Sequence, residues 1–155
     1  MKKILFILWL AMALPALAQA RVVTFSTQLS DYGGDGAYLA LYLTDADGKY
    51  HRTLWVAGEK RKYYKHLRDW ARGSGLSQAE YDGLTGASLS SGRTLKVTLE
   101  LEDTLIDSGY QIRDDSEVED KRDLSSDSMV TLTAEGSGKS VSGRGYVHSF
   151  VYDLK

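Results

Sequence analysis

The feature that most constrains this chain is a period-two alternation of apolar and polar residues, repeated in short runs that end in turn-forming residues. Leu95, Val97, Leu99 and Leu101 alternate with Thr94, Lys96, Thr98 and Glu100. In an extended strand this puts the apolar set on one face and the polar set on the other. Val23, Phe25, Thr27 and Leu29 repeat the pattern until the run Asp31-Tyr32-Gly33-Gly34-Asp35-Gly36 interrupts it. A second strand carries Ala37, Leu39, Leu41 and Leu43 on one face, and Asp45-Ala46-Asp47-Gly48 reads as a hairpin turn into a third strand at Arg52 to Val56. Further strands are expected at Tyr110 to Val118, Met129 to Ala134 and Gly145 to Leu154.

One segment departs from this period. From Glu59 to Arg72, Tyr63, Leu67 and Trp70 recur at helical spacing while Lys60, Arg61, Lys62, Lys65, Arg68 and Arg72 fill the opposite face, and Gly73 and Gly75 follow as a stop. About seven short strands with a single inserted α-helix predict a mainly β fold, an antiparallel immunoglobulin-like β-sandwich, with an open barrel as the alternative.

Residues 1–20 read as a secretory signal peptide. Lys2 and Lys3 give a positive start, Ile4 to Leu14 an apolar stretch, and Ala16-Leu17-Ala18-Gln19-Ala20 a small-residue cleavage region with cutting after Ala18 or Ala20. The apolar run is shorter than the roughly 20 residues a membrane span needs. The remainder, residues 21–155, is expected to be one domain exported to the periplasm. A net charge of -2 argues against an electrostatic nucleic-acid binder. With no cysteine, disulfides, thiolate metal sites and c-type haem attachment are excluded.

Between the helical segment and the cleanest strand lies Asp82-Gly83-Leu84-Thr85-Gly86-Ala87-Ser88. This stretch resembles the acceptor motif of the FAD:protein FMN transferase, in which Asp, a small residue, an apolar residue, Ser/Thr, Gly/Ser, Ala and a final Ser/Thr follow in order. The resemblance implies that the last hydroxyl, Ser88, becomes esterified to the phosphate of FMN. The residue types suit that chemistry. In-line attack needs an exposed hydroxyl able to enter another enzyme's active site. Gly86 and Ala87 allow close backbone approach, Gly83 a tight turn, and the Asp82 carboxylate is expected to accept from local amides; Thr85 completes the motif. An ordinary Asp-Gly turn leading into a Ser/Thr-rich loop is the structural alternative.

A wider pattern accompanies the motif: Tyr38 to Gly48, Arg52-Thr53-Leu54, Lys62 to Trp70, Gly92 and Gly109-Tyr110. It resembles a family of predicted periplasmic proteins of unknown function, in which the last motif position is more usually Thr and a Pro commonly stands where Ser91 does here. That resemblance implies an immunoglobulin-like fold and a place in extracytosolic flavin electron transfer, relaying electrons between a membrane redox protein of the PepSY type and an acceptor outside the cytoplasm. Tyr81, Trp55, Tyr64 and Trp70 are candidates for an aromatic wall beside a flavin, although Trp70 on a helical apolar stripe reads better as core. A non-redox binding or adaptor domain on the same fold is the competing function.

Other signals carry less. His51, His66 and His148 show no paired metal-ligand spacing, and Asp45 to Gly48 lacks the later ligands of a calcium loop. The seven carboxylates between Asp114 and Asp127 read as an exposed solubilising loop, with docking of a positively charged redox partner or weak cation binding as alternatives. The basic helical face reads as solvated, with pairing to a phosphate or an acidic partner as the alternative. There is no G-x-S-x-G nucleophile elbow, and an independent enzyme is not expected.

Overall fold

The alternating runs fold as strands and close on one another as two sheets. The structure is a computed structural model that describes residues 19–155, so the predicted leader lies outside the described residues except for Gln19 and Ala20. Eight strands are formed: β1 (Ala20–Leu29), β2 (Tyr38–Thr44), β3 (Tyr50–Ala57), β4 (Thr85–Gly86), β5 (Thr94–Glu102), β6 (Gln111–Glu117), β7 (Leu124–Thr131) and β8 (Val147–Leu154). One sheet has the order β5-β1-β8 and the other β4-β3-β2-β6-β7. All pairings are antiparallel except β3 with β4, where Val56 lies opposite Thr85 and Ala57 opposite Gly86 in parallel register.

This is the strand order of an immunoglobulin-type sandwich with one substitution. The hairpin β2–β3 and the hairpin β6–β7 pair through β2 and β6, as the C, C′, F and G strands do, and β1 pairs with β5 as B does with E. The outer place beside β1, held by the first strand in immunoglobulin domains, is taken here by the C-terminal β8.

The main core lies between the sheets. Val23, Phe25 and Leu29 of β1, Val147, Phe150 and Tyr152 of β8, and Leu101 of β5 meet Leu39, Leu41 and Leu43 of β2, Leu54 of β3 and Ile112 of β6. Burying each of these leucines contributes about 1.5–3 kcal/mol. The Phe25 and Phe150 rings stack with centroids 6.4 Å apart.

The other face of β2 is buried too, which the sequence pattern does not predict. Ala40, Tyr42 and Val56 form a second core with Tyr64, Leu67, Trp70 and Tyr81 of the segment that follows β3. This segment is not the continuous helix expected from Glu59 to Arg72. It is a 3₁₀ turn at Arg61–His66 followed by α1 (Arg68–Ser74), with the break at Leu67, φ −81° and ψ 74°. Leu67 must turn fully inward, and the Asp115 carboxylate of β6 accepts from the N–H groups of Asp69 (2.8 Å) and Trp70 (2.9 Å), fixing a new helix start. Gly73 lies within α1 rather than ending it; the helix ends at Gly75, which is left-handed at φ 62°. The cationic side chains of the segment stay exposed, and Arg68 and Arg72 pair with Asp123 and Asp69.

The acidic run is the largest correction. Asp114, Asp115 and Glu117 are buried on β6, and Asp127 on β7, which begins at Leu124 rather than Met129. The Asp127 carboxylate accepts from the N–H groups of Arg144, Gly145, Tyr146 and Val147 at 2.7–2.9 Å and from the Ser116 hydroxyl at 2.6 Å. It thereby holds the loop entering β8 against β7. The Asp115 carboxylate also accepts from Tyr42 Oη and Ser126 N–H. Asp114 points between the sheets, where Thr27 and Ser128 donate to one of its oxygens and the other has no partner. Burial pushes the Asp114 carboxyl up to about 7, and pushes Glu117 up as well. Only Glu119 and Asp120 of the run are exposed; Asp123 is largely covered and receives His66 and Arg68.

Candidate functional site

The Asp82–Ser88 segment starts where a short 3₁₀ turn, Gln78–Glu80, ends. Asp82 N–H donates to the Gln78 carbonyl at 2.9 Å and Leu84 N–H to the Tyr81 carbonyl at 3.0 Å, and Gly83 occupies the left-handed region at φ 74° that this turn requires. The chain then runs beside β3 as the two-residue β4. Val56 N–H donates to Leu84 O at 2.8 Å and Gly58 N–H to Gly86 O at 2.7 Å. Three residues beyond β4, Leu89 and Ala37 exchange both backbone hydrogen bonds, at 2.8 and 2.9 Å. Ser91, which stands where the resembled pattern has Pro, accepts from Gly33 N–H at 3.0 Å and so ties the downstream end to the turn before β2.

Ala87 and Ser88 are therefore the unpaired span between two backbone fastenings, and both side chains are exposed. Gly36 lies directly against the Ser88 hydroxyl: a Cβ on residue 36 would sit 2.9 Å from Ser88 Oγ. A side chain there would fill the space in which a group attached to that oxygen must begin. Gly86 is constrained from below. A Cβ on it would come within 2.9 Å of the Trp55 ring, because a bulge at Leu54 aligns Leu41 with Trp55 and Tyr42 with Thr53 and turns Trp55 beneath β4. Asp82 and Thr85 are exposed, and the Asp82 carboxylate accepts no hydrogen bond among the described residues. Backbone pairing shapes this loop, not the Asp82 side chain.

Beside Ser88 opens a cleft of about 270 Å³. Tyr38, at the start of β2, and Tyr63, on the 3₁₀ turn, line it with centroids 5.2 Å apart and planes tilted by 56°. Tyr38 rests on Gly58, where any Cβ would overlap its ring, and its hydroxyl accepts from Lys60 N–H at 3.3 Å. Tyr63 donates to Glu119 Oε1 at 2.6 Å, which raises its phenol above the usual range. The cleft margin carries one cation, Lys60, and three carboxylates, Asp35, Glu59 and Glu119.

The aromatic wall expected from sequence is placed elsewhere. Tyr64, Trp70 and Tyr81 are packed edge to face in the second core, and Trp70 donates its indole N–H to Thr53 at 2.8 Å. Trp55 lies under the loop, partly buried against the main core. The residues that do border Ser88, namely Gly36, Tyr38, Lys60 and Tyr63, are missed by sequence reasoning. The available signal was weak: Tyr38 alternates with the buried leucines of β2, and Gly36 ends a turn run.

Among the described residues no group of three or more His, Asp or Glu side chains could hold a metal ion, and His66 is engaged with Asp123. Asp45 to Gly48 is a hairpin turn, in which Asp45 Oδ1 accepts from Asp47 and Lys49 N–H.

Fold and site together define a class: a two-sheet β-sandwich domain that presents a hydroxyl on a backbone-fastened Asp-Gly loop at one end of a sheet. The chain belongs to the family described as predicted periplasmic protein (DUF2271), whose pattern matches residues 20–149. That family places the domain in the periplasm, and no helix among the described residues is long and apolar enough to cross a membrane. No curated protein and no solved structure matches the chain.

Proposed function

We propose that this domain is a periplasmic electron carrier bearing FMN on Ser88 through a phosphoester. The observation that carries this reading is the Ser88 hydroxyl itself, exposed on a loop fastened at Gly86 and Leu89, with room reserved for it by Gly36. An FAD:protein FMN transferase would be the modifying partner. In that reaction Ser88 Oγ attacks the FMN phosphorus of FAD; the Oγ–P bond forms, the pyrophosphate P–O bond breaks, AMP leaves, and the hydroxyl proton passes to a base of the transferase. The chain's own part is presentation. Small neighbours at Gly86 and Ala87 let the loop enter a foreign active site, while the fastenings hold the hydroxyl in a fixed direction.

Bound there, FMN would supply electron-transfer chemistry that the side chains of this cysteine-free domain do not. By the family resemblance, a PepSY-type membrane redox protein is the proposed electron partner on the membrane side. The test is co-expression with an FMN transferase, followed by intact mass and in-gel flavin fluorescence. An adduct of FMN minus water that disappears in Ser88→Ala is expected. Unchanged mass under conditions that modify a control substrate would instead favour a binding or adaptor domain.

A further inference from the structure

Resting on the reading of Ser88 as the attachment point, we propose that the flavin ring does not hang free in solvent but seats in the neighbouring cleft, against the contacting pair Tyr38 and Tyr63. Three observations converge. First, Ser88 and both tyrosines line the same cleft, so a ribityl phosphate starting at Ser88 Oγ enters it without loop movement. Second, its volume of about 270 Å³ is just under the usual range for small-molecule sites, which suits part of a planar ring system and leaves one edge in water. Third, the two phenol rings are already held at a non-parallel angle by contacts of their own. Tyr38 is supported from behind by Gly58 and through its hydroxyl by Lys60 N–H. Tyr63 is fixed by Glu119 and by the Lys62 ammonium over its ring at 4.6 Å. A third aromatic ring can lie offset on one phenol with its edge against the other, the geometry that aromatic clusters prefer.

Preorganisation gives this arrangement its affinity. Neither tyrosine must give up much rotamer freedom when the ring arrives, and attachment at Ser88 makes its docking intramolecular. The charges around the cleft come close to balance: Asp35, Glu59 and Glu119 face Lys60 of the lining and the Lys62 ammonium over Tyr63.

The test uses the full domain after co-expression with the transferase, with intact mass measured on every sample. Nearby tyrosines quench flavin emission, so fluorescence per attached flavin reports seating. Emission is expected to be several-fold lower in the native domain than in urea. Loss of one aromatic contact in Tyr63→Leu should shift the seated-to-free ratio about threefold to tenfold toward free, with the FMN adduct retained. Tyr63→Phe, which keeps a ring for packing and loses Glu119, should stay seated and quenched by the remaining phenol of Tyr38, and controls for general damage to the cleft and for loss of the Tyr63 phenol as a quencher. A complete adduct whose emission is the same in native protein, in urea and in Tyr63→Leu would overturn the seat while leaving Ser88 as the attachment point. Absence of any adduct would overturn both.

Discussion

The loop that carries Ser88 and the β6–β7 hairpin both carry aspartate among small polar residues, yet they use their polar atoms in opposite ways. The loop leaves Asp82, Thr85, Ala87 and Ser88 in water and is secured by its backbone, through Leu84 and Gly86 on one side and Leu89 on the other. The hairpin buries Asp114, Asp115 and Asp127, and two of these carboxylates secure other parts of the molecule. What separates them is the supply of donors. Asp127 meets four backbone N–H groups and a hydroxyl, and Asp115 meets the first turn of α1, the Tyr42 hydroxyl and Ser126 N–H. A carboxylate so surrounded is tolerated inside a protein because its charge is dispersed over fixed dipoles. Burial raises the carboxyls of both Asp115 and Asp114, and Asp114, the more deeply buried, has only two hydroxyl donors to offset it.

This contrast can be broken most severely at Asp127. Replacing it by Ala strands four backbone donors, that of Val147 buried and those of Arg144, Gly145 and Tyr146 part-buried, and Asp127→Ala is expected to destabilise the domain by about 3–5 kcal/mol, read as the loss in urea unfolding free energy. A smaller effect should come from Asp114. Its folded carboxyl titrates near 7, well above that of an unfolded aspartate, so the folded state keeps a proton that the unfolded chain has released. Stability should therefore fall as pH rises from about 4 to about 7, by roughly 2–4 kcal/mol, and Asp114→Asn should flatten that slope. Denaturation at pH 5 and pH 8 in both proteins checks the sign; the adjacent Asp115 and Asp127 are retained in the variant. Smallest of all should be Ser88→Ala, which is expected to change unfolding free energy by less than about 0.5 kcal/mol while abolishing modification. A large loss of stability there would mean that the hydroxyl belongs to the architecture and not to a reaction.

Most of the sandwich was legible because half-buried strands carry their orientation in the sequence: Leu95 to Leu101, Val23 to Leu29 and Leu39 to Leu43 all face the core as the alternation predicts. What could not be read was contact from a third layer. Tyr42 and Ala40 look like ordinary outward residues of β2 until Leu67 and Trp70 cover them, and the helical period across Leu67 hides a break imposed by Asp115, a residue far away in sequence. The acidic run was misread for the same reason. Composition counts charges but not the N–H groups that other segments will bring to them. At the site, the loop and the exposure of Ser88 follow from local chemistry, whereas its neighbours come from two distant stretches. Gly36 and Tyr38 lie at the entry to β2 and Lys60 and Tyr63 at the 3₁₀ turn, so no spacing rule joins them to Ser88.

The double fastening around Ala87 and Ser88 sets the mobility of anything carried there. A cargo on a long leash can swing between donor and acceptor while its domain stands still. A cargo mounted on Ser88 has at most the freedom of its own tether, since the backbone on either side is tied to β3 and to Ala37. If that cargo is the proposed flavin, each exchange of electrons would require the whole domain to tumble and present the same end to one partner after the other, so the rate of relay would follow encounter frequency and ionic strength rather than the length of any flexible arm.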